Sequence, residues 1–194
     1  MSEIKYITPR YENLTRIAKE IGAKTFLEIG TWAGITAQNL ILTAKEYANS
    51  DEVLYVGIDL FELLTPELKK LEHSKEAKLR SSVLNKIGGL DVPVFLHKGF
   101  SNDVLPTLPD QKFDMIYIDG GHRDETIAQD WNDVQRFISD KTVVVFDDYR
   151  RSDPGVGCKK LVDGLNRDTW GVEILEPTEK FAFGLINLAK VVRR

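Results

Sequence analysis

Short apolar runs alternate along the chain with stretches whose apolar residues recur at helical spacing. Residues 25–29 and 53–58 have the length and composition of buried strands. Between these two runs, Ala37, Leu40 and Ile41 mark one face of a helix. The same alternation continues through most of the chain, so the pattern predicts strands joined by helices.

Turn and capping residues set the bounds of the predicted elements. Strands are predicted at 25–29, 53–58, 92–96, 113–118 and 142–146, followed by two strand-like runs at 172–175 and 181–186. Helices are predicted around residues 14–21, 37–48, 66–87, 127–138 and 158–165. A short helical turn is predicted after Ser101, which would be its N-cap residue. Asp153-Pro154 is suited to the start of the last helix.

Five strands separated by helices predict a parallel sheet that helices cover on both faces. The last two runs have no helix between them, so they can pair only antiparallel. The predicted fold class is therefore α/β: a three-layer Rossmann-like sandwich with a mostly parallel sheet and an antiparallel C-terminal hairpin. Residues 1–194 are expected to form a single domain, in which residues 61–90 are long enough to build a lid over a substrate.

Acidic residues recur at the ends of four predicted strands. They are Glu28, Asp59, Asp119, Asp147 and Asp148. Arg150 and Arg151, which follow the last two, could pair with them, hold an anionic substrate or be solvated. Ligands of parallel sheets bind beyond the carboxyl ends of the strands. Because packing does not require acids there, their recurrence is the main functional signal in the sequence.

The loop after the first strand contains Gly30 and Gly34 and leads into a helix. Gly30 permits a sharp turn, and Gly34 lets a ligand approach the backbone at the helix start. A dinucleotide site requires G-x-G-x-x-G, and Trp32 occupies the place of its second glycine, which weakens that interpretation. Alone, the loop is a glycine turn. With Asp59, whose carboxylate can accept hydrogen bonds from both hydroxyls of a ribose, it indicates a nucleoside site.

The acids after the fourth and fifth strands indicate a cation site. If their strands are neighbours, Asp119, Asp147 and Asp148 converge, and a hard ion such as Mg²⁺ would relieve their repulsion. Consecutive strand residues point to opposite faces, so Asp147 and Asp148 both reach one ion only if the strand has ended; otherwise one of them is solvated. Both readings stay open. His122 has the near-neutral pKa of a general base, or is a surface histidine.

The composition excludes several classes of protein. With 42% hydrophobic and 29% charged residues among 194, the chain can bury a core and is not disordered. The formal net charge of −4 argues against a nucleic-acid binder that works by general charge. The sequence has neither an apolar run of the roughly 20 residues of a membrane span nor a signal-peptide stretch, so we expect a soluble, cytoplasmic protein. The single cysteine, Cys158, is expected in the core.

Four segments of the sequence resemble class I S-adenosylmethionine (SAM)-dependent methyltransferases. They read FLEIGTWAGIT, VGIDLF, FDMIYIDGGH and VVVFDDY, and PGVGCKKLVDGL follows them. The chain is most similar to the small group with E-I-G-x-x-x-G-x-[ST], I-D-G-x-H and D-D-Y motifs. That group is related to O-methyltransferases of antibiotic sugars and, more distantly, to catechol-type ones. The resemblance covers nearly the whole chain.

The resemblance implies a role for each motif residue. Those expected to bind the cofactor are Glu28, Gly30, Gly34 and Thr36 at its methionine end, Asp59 at its ribose hydroxyls, and Phe100 and Ser101 at its adenine, with Asp119 nearby. The metal ligands of metal-dependent members correspond to Asp119, Asp147 and Asp148, and the catalytic residues to His122 and Asp119. Trp32 departs from the glycine pattern of the broad class.

The expected function is O-methylation of a small hydroxylated metabolite or a sugar, assisted by Mg²⁺ or another divalent cation. Two alternatives stay open: an NAD-dependent oxidoreductase on a Rossmann-type fold, and a non-catalytic module that binds SAM. The expected partner is the small acceptor, and neither nucleic acid nor a membrane. The oligomeric state is open, with a homodimer as one candidate.

Overall fold

The computed structural model describes residues 8–151, 155–182 and 184–194. The strands are β1 (Thr25–Ile29), β2 (Leu54–Asp59), β3 (Val94–Lys98), β4 (Met115–Ile118), β5 (Val143–Arg150), β6 (Trp170–Phe181) and β7 (Gly184–Arg193). The helices are α1 (Glu12–Glu20), α2 (Ile35–Ala44), α3 (Pro66–Leu71), α4 (Arg80–Ile87), α5 (Ser101–Val104), α6 (Asp124–Val134) and α7 (Lys159–Gly164). Short 3-10 turns extend or connect them at Pro9–Tyr11, Ser50–Glu52, Phe61–Leu63, Gly88–Leu90, Leu105–Thr107 and Gln135–Phe137.

The seven strands lie in the order β3-β2-β1-β4-β5-β7-β6. Strands β1 to β5 are parallel, and β7 runs antiparallel between β5 and β6, which confirms the predicted fold class. The strand order reverses between β1 and β4, and such a switch point opens a crevice beyond the strand ends. Ile29 is in register with Ile58 and Ile118, so β1, β2 and β4 end at one level there.

Alternate residues of the central strands build two core layers. Phe26, Tyr55 and Tyr117 pack with apolar residues of α1, α2 and α4. Leu27, on the opposite face, packs with apolar residues of α6 and α7. Cys158 is buried in this second layer, as expected. The apolar residues whose helical spacing predicted the helices are therefore the ones that pack against the sheet.

The single helix predicted at 66–87 is wrong in its middle, because α3 and α4 are separate helices. Half of residues 72–79 between them are charged, so the segment offers no apolar stripe that a helix could bury, and His73 has a φ of +51°. The 72–79 segment lies instead over the crevice. There the indole of Trp32 donates a hydrogen bond to the backbone carbonyl of Glu76 at 3.0 Å.

Strand β5 does not stop at Phe146 as predicted, but continues through the two aspartates to Arg150. A bulge interrupts its pairing with β7 between Phe146 and Tyr149, and Asp148 has a φ of +53°. The left-handed residue breaks the alternation of side chains along the strand. Asp147 and Asp148 can therefore contact the same neighbouring group.

The tail strands are longer than the apolar runs 172–175 and 181–186 that predicted them. Strand β7 pairs with β5 on one side and with β6 on the other. Backbone hydrogen bonds between these strands therefore keep residues outside the apolar runs in extended conformation. The predicted helix start at Asp153-Pro154 lies outside the described residues, and α7 begins after Cys158. Within the described ranges, no helix has the length and apolar character needed to cross a membrane.

Candidate active site

A cavity of about 430 Å³ opens at the carboxyl ends of β1, β2 and β4. Six residues that the sequence predicted at the site line it: Gly30, Asp59, Phe100, Ser101, Asp119 and His122. Residues of α3 and the 72–79 segment form its outer side. The cavity thus lies at the switch point of the sheet, where ligands bind in this fold class.

The loop after β1 lies tightly against the end of β4. Gly30 has a φ of +92°, and a Cβ at this position would lie 1.9 Å from the carbonyl oxygen of Asp119, so only glycine fits. Trp32 also has a positive φ, of 43°, which is strained for a residue with a side chain. Its backbone N–H donates to Oδ2 of Asp59 at 2.8 Å. This bond holds the loop beside the cavity.

Asp59, at the end of β2, accepts one backbone hydrogen bond on each carboxylate oxygen. Oδ2 accepts from Trp32 at 2.8 Å, and Oδ1 accepts from Phe61 at 2.6 Å. Burial raises the pKa of Asp59, although these two bonds oppose the shift. A carboxylate offers about four lone-pair directions, so each oxygen retains capacity for another donor. Asp59 is therefore positioned to bind two neighbouring hydroxyl groups.

The start of α5 forms another wall of the cavity. The predicted N-cap role of Ser101 is wrong, because Phe100 is the N-cap residue and the hydroxyl of Ser101 donates instead to Asp130 of α6. Burial raises the pKa of Asp130 to about 7, against the effect of this hydrogen bond. Phe100 is 45% exposed and lines the cavity. An exposed ring of this kind offers a flat surface on which a base can stack.

Three of the expected cofactor residues flank the loop. Glu28 is 1% exposed and accepts a hydrogen bond from the hydroxyl of Tyr55, and burial raises its pKa to about 8. Gly34 is the N-cap residue of α2, with a φ of +68°, and Thr36 lies in the first turn of that helix. The three residues thus lie in β1 and at the start of α2, on either side of the loop, and other residues of the loop line the cavity.

Three acids, Asp119 after the end of β4 and Asp147 and Asp148 at the bulge of β5, form what we call the acid cluster. Arg10 donates to both carboxylate oxygens of Asp147, at 3.1 and 3.2 Å, and lies 3.7 Å from Asp148. The hydroxyl of Tyr11 donates to Asp147 at 2.7 Å. Arg10 is 5% exposed, so this is a buried ion pair. The sequence analysis missed Arg10, because 137 residues separate it from Asp147 and no motif marks it.

Asp148 binds two further cationic side chains. Nε2 of His122 lies 2.8 Å from Oδ2 of Asp148, and Arg150 donates to the same oxygen at 2.8 Å. On the other side of the ring, Nδ1 of His122 lies 2.8 Å from the backbone carbonyl oxygen of Glu72. Both ring nitrogens therefore face acceptors, which favours the doubly protonated imidazole. Of the alternatives open for Arg150, the structure shows the pair with an acid.

These contacts shift the pKa of His122 and that of Asp148 in opposite directions. Burial lowers the pKa of His122, but the hydrogen bond and charge of Asp148 outweigh it, so the pKa lies above its ordinary value. Burial raises the pKa of Asp148, but the bonds and charges of His122 and Arg150 outweigh it, so this pKa lies below its ordinary value. Burial and the charge of Asp147 hold the pKa of Asp119 well above its ordinary value.

The acid cluster does not fit a divalent metal ion. In the described part of the chain, no group of three or more His, Cys, Asp or Glu side chains is arranged to hold one. Both oxygens of Asp147 accept from Arg10, and Oδ2 of Asp148 faces two cationic side chains. Few oxygen lone pairs remain for an ion that prefers carboxylate ligands. The bulge does bring Asp147 and Asp148 to one cation, but that cation is a guanidinium.

The comparison with protein families identifies the class of protein. Residues 27–149, which run from β1 into β5, match the family of methyltransferase domains. This chain belongs to that family. No functionally curated protein matches the sequence.

Solved methyltransferase structures share the fold. TomG from Streptomyces achromogenes, an O-methyltransferase involved in tomaymycin synthesis and solved with SAM, is 17% identical, with a TM-score of 0.69 over 100% of this chain and 83% of that one. An O-methyltransferase from Bacillus cereus, solved with S-adenosylhomocysteine (SAH), is also 17% identical. Its TM-score is 0.68 over 100% of this chain and 84% of that one. An rRNA methylase from Streptococcus thermophilus is 8% identical, with a TM-score of 0.66 over 97% and 99%. At these identities, the similarity shows a common fold.

Proposed function

We propose that this methyltransferase transfers the methyl group of SAM to a hydroxyl group of a small molecule. The observation that carries the proposal is Asp59, whose two oxygens retain lone pairs beside a cavity at the switch point, next to the turn at Gly30. Family membership supports methyl transfer. The SAM and SAH bound by TomG and by the Bacillus cereus enzyme support SAM as donor, and both are O-methyltransferases.

We assign the parts of the cofactor to the residues that line the cavity. Asp59 binds the ribose hydroxyls, and Phe100 and Ser101 flank the adenine. Gly30 and Asp119 border the methionine end, where a close approach to the backbone is needed. The other cofactor residues expected from the motifs, Glu28, Gly34 and Thr36, lie in β1 and at the start of α2, on either side of this loop.

The acceptor site is proposed to lie under residues 61–90 of a single domain that spans residues 1–194. The sulfonium group of SAM supplies an already activated methyl group. The protein therefore has to align an oxygen with that methyl group and exclude water. Leu68 and Leu71 line the outer side of the cavity together with Glu72. The two leucines provide apolar contacts beside the charged residues of the 72–79 segment, and this mixed lining suits a small hydroxylated metabolite or a sugar ring.

His122 is the proposed proton acceptor, and Asp148 is the residue that orients it. Asp148 binds Nε2, whereas Nδ1 is covered by the backbone carbonyl of Glu72. An acceptor hydroxyl that replaces this carbonyl would lie within hydrogen-bond distance of Nδ1, and neutral imidazole could take its proton. The divalent ion expected from the motifs has no step in this proposal, because Arg10 and Tyr11 already bind the acid cluster.

Calorimetric titration with SAH, followed by an assay with methyl-labelled SAM and a panel of phenols and sugars, tests the proposal. We expect saturable binding of SAH and transfer of the label to at least one hydroxylated acceptor. Failure to bind SAH would overturn the proposal, and thermal stabilisation by NAD instead would favour an oxidoreductase. Binding of SAH without transfer to any acceptor would indicate a non-catalytic module, and transfer to RNA alone would replace the substrate class. Light scattering on the same sample tests the homodimer that is one candidate for the oligomeric state.

A further inference from the structure

The ion pair between Arg10 and the acid cluster has no role in the proposed transfer step, yet it is the most deeply buried charged contact beside the site. Nε and Nη2 of Arg10 span the carboxylate of Asp147, at 3.1 and 3.2 Å. Nη1 of the same guanidinium donates to Glu179 of β6 at 2.6 Å. The guanidinium thus lies between carboxylates of β5 and β6.

Several contacts fix Arg10 in this position. Its own backbone N–H donates to Glu179 at 3.0 Å, and its guanidinium lies 4.7 Å from the centre of the Tyr11 ring. The following turn is tied to β6 by Asn13, whose side-chain amide donates to the backbone carbonyl of Glu176 at 2.8 Å. A side chain held at so many points does not readily give up its carboxylate partners to an ion.

Cationic side chains of the protein already pair with the carboxylates of β5 and β6 beside the site. Three carboxylates, those of Asp147, Asp148 and Glu179, face three cationic side chains, those of Arg10, Arg150 and His122. A divalent ion would add two positive charges beside these three cationic side chains. To gain ligands, that ion would have to displace a guanidinium that is itself buried.

We propose that the guanidinium of Arg10 is the built-in cation of the acid cluster and takes the place of a divalent metal, so that methyl transfer is metal-independent and removal of Arg10 creates a cation site. The statement about methyl transfer rests on the proposed function. The statement about the cation site depends only on the ion pair.

Calorimetric titration with Mg²⁺ and Ca²⁺ tests the proposal on the whole chain. We expect no saturable binding by the wild-type protein. For Arg10→Ala we expect Ca²⁺ to bind with a Kd on the order of 10⁻⁴ to 10⁻³ M, the range of weak oxygen-ligand sites. Adding Asp147→Asn to Arg10→Ala should abolish the gained site. The matched control is Arg16→Ala, which removes an exposed ion pair with Glu20 on α1 and should bind no cation.

Saturable binding of Mg²⁺ by the wild-type protein would overturn the proposal, and so would label transfer that stops in EDTA and returns with Mg²⁺. A folded Arg10→Ala protein, as judged by circular dichroism, that gains no cation site would also overturn it. If Arg10→Ala does not fold, Arg10→Gln takes its place, and the wild-type titrations decide in either case. These titrations use neither SAM nor an acceptor, so a failure of the proposed function leaves their result interpretable.

Discussion

Two groups of acids at the same edge of the sheet use their carboxylates in opposite ways. At the end of β2, Asp59 accepts two backbone N–H groups and faces a cavity, so its remaining lone pairs are available to a ligand. At the bulge of β5, Asp147 and Asp148 are bound by the side chains of Arg10, His122 and other residues of the protein itself. We call these the open and the closed region. An acid at this edge of the sheet is therefore a ligand site only where its carboxylate oxygens can still accept hydrogen bonds from a ligand.

The largest expected effect concerns His122, which joins the two regions because it lines the cavity and pairs with Asp148. We expect His122→Asn to lower kcat by about 10²- to 10⁴-fold, the usual contribution of a general base. The affinity for SAH should stay within about twofold, because His122 is not assigned to the cofactor. Steady-state kinetics and calorimetry on the same variant measure both quantities. An unchanged kcat would remove His122 from the mechanism.

In the closed region, Arg10→Ala leaves buried carboxylates without their counter-charge. We expect the free energy of unfolding to fall by about 3–5 kcal/mol, as when one partner of a buried ion pair is removed. Arg16→Ala, which breaks an exposed pair, should cost less than about 1 kcal/mol. Urea unfolding of the two variants measures the difference. Equal losses for both would mean that the closed region has no special electrostatic role.

In the open region, Asp59→Ala should weaken the binding of SAH by about 10²-fold, because it removes two hydrogen bonds to a charged acceptor of at least about 1.5 kcal/mol each. Asp59→Asn, which keeps one acceptor oxygen, should lose less. Asp103→Ala, at an exposed position of α5, is the control and should bind SAH as the wild type does. Calorimetry with SAH measures all three. Wild-type affinity in Asp59→Ala would show that the ribose lies elsewhere.

The smallest expected effect is a shift of the pH profile. Neutral His122 is the proposed base, so kcat should rise with pH and level off only above its raised pKa, which exceeds 6.5. Asp148→Asn removes the charge that raises this pKa, so the rising limb should move to lower pH. Stability changes in the opposite sense: the contribution of the raised pKa is complete below pH 6.5 and is lost as the pH rises through the folded-state value. If the pH profiles of kcat for the wild-type protein and Asp148→Asn coincide, Asp148 does not set the pKa of the catalytic base.

The sequence predicted the features that depend on local pattern. The strands and the helix faces were predictable because each side of the sheet buries apolar residues at a repeating interval. Gly30 and Asp59 were predictable because a sharp turn and a strand end are both visible in a few consecutive residues. Their convergence then follows from the parallel sheet, whose strands end at one edge.

The closed region was not predictable for the opposite reason. Arg10 lies in a short 3-10 turn before α1, and its partner Asp147 is 137 residues away. The sequence motifs identified the acids, but they could not show that the guanidinium of Arg10 would contact them. The bond between Ser101 and Asp130 was missed for the same reason, since the two residues belong to different helices. The break between α3 and α4 follows from charged residues that have no core to face, which helical spacing alone does not reveal.

Calorimetric titration of SAH into the wild-type protein in the presence of EDTA tests the central claim most directly. That claim is that the open region binds the cofactor while the closed region needs no metal. We predict saturable binding in EDTA, with the same Kd when Mg²⁺ replaces the chelator. No binding in EDTA, with binding restored by Mg²⁺, would contradict the account.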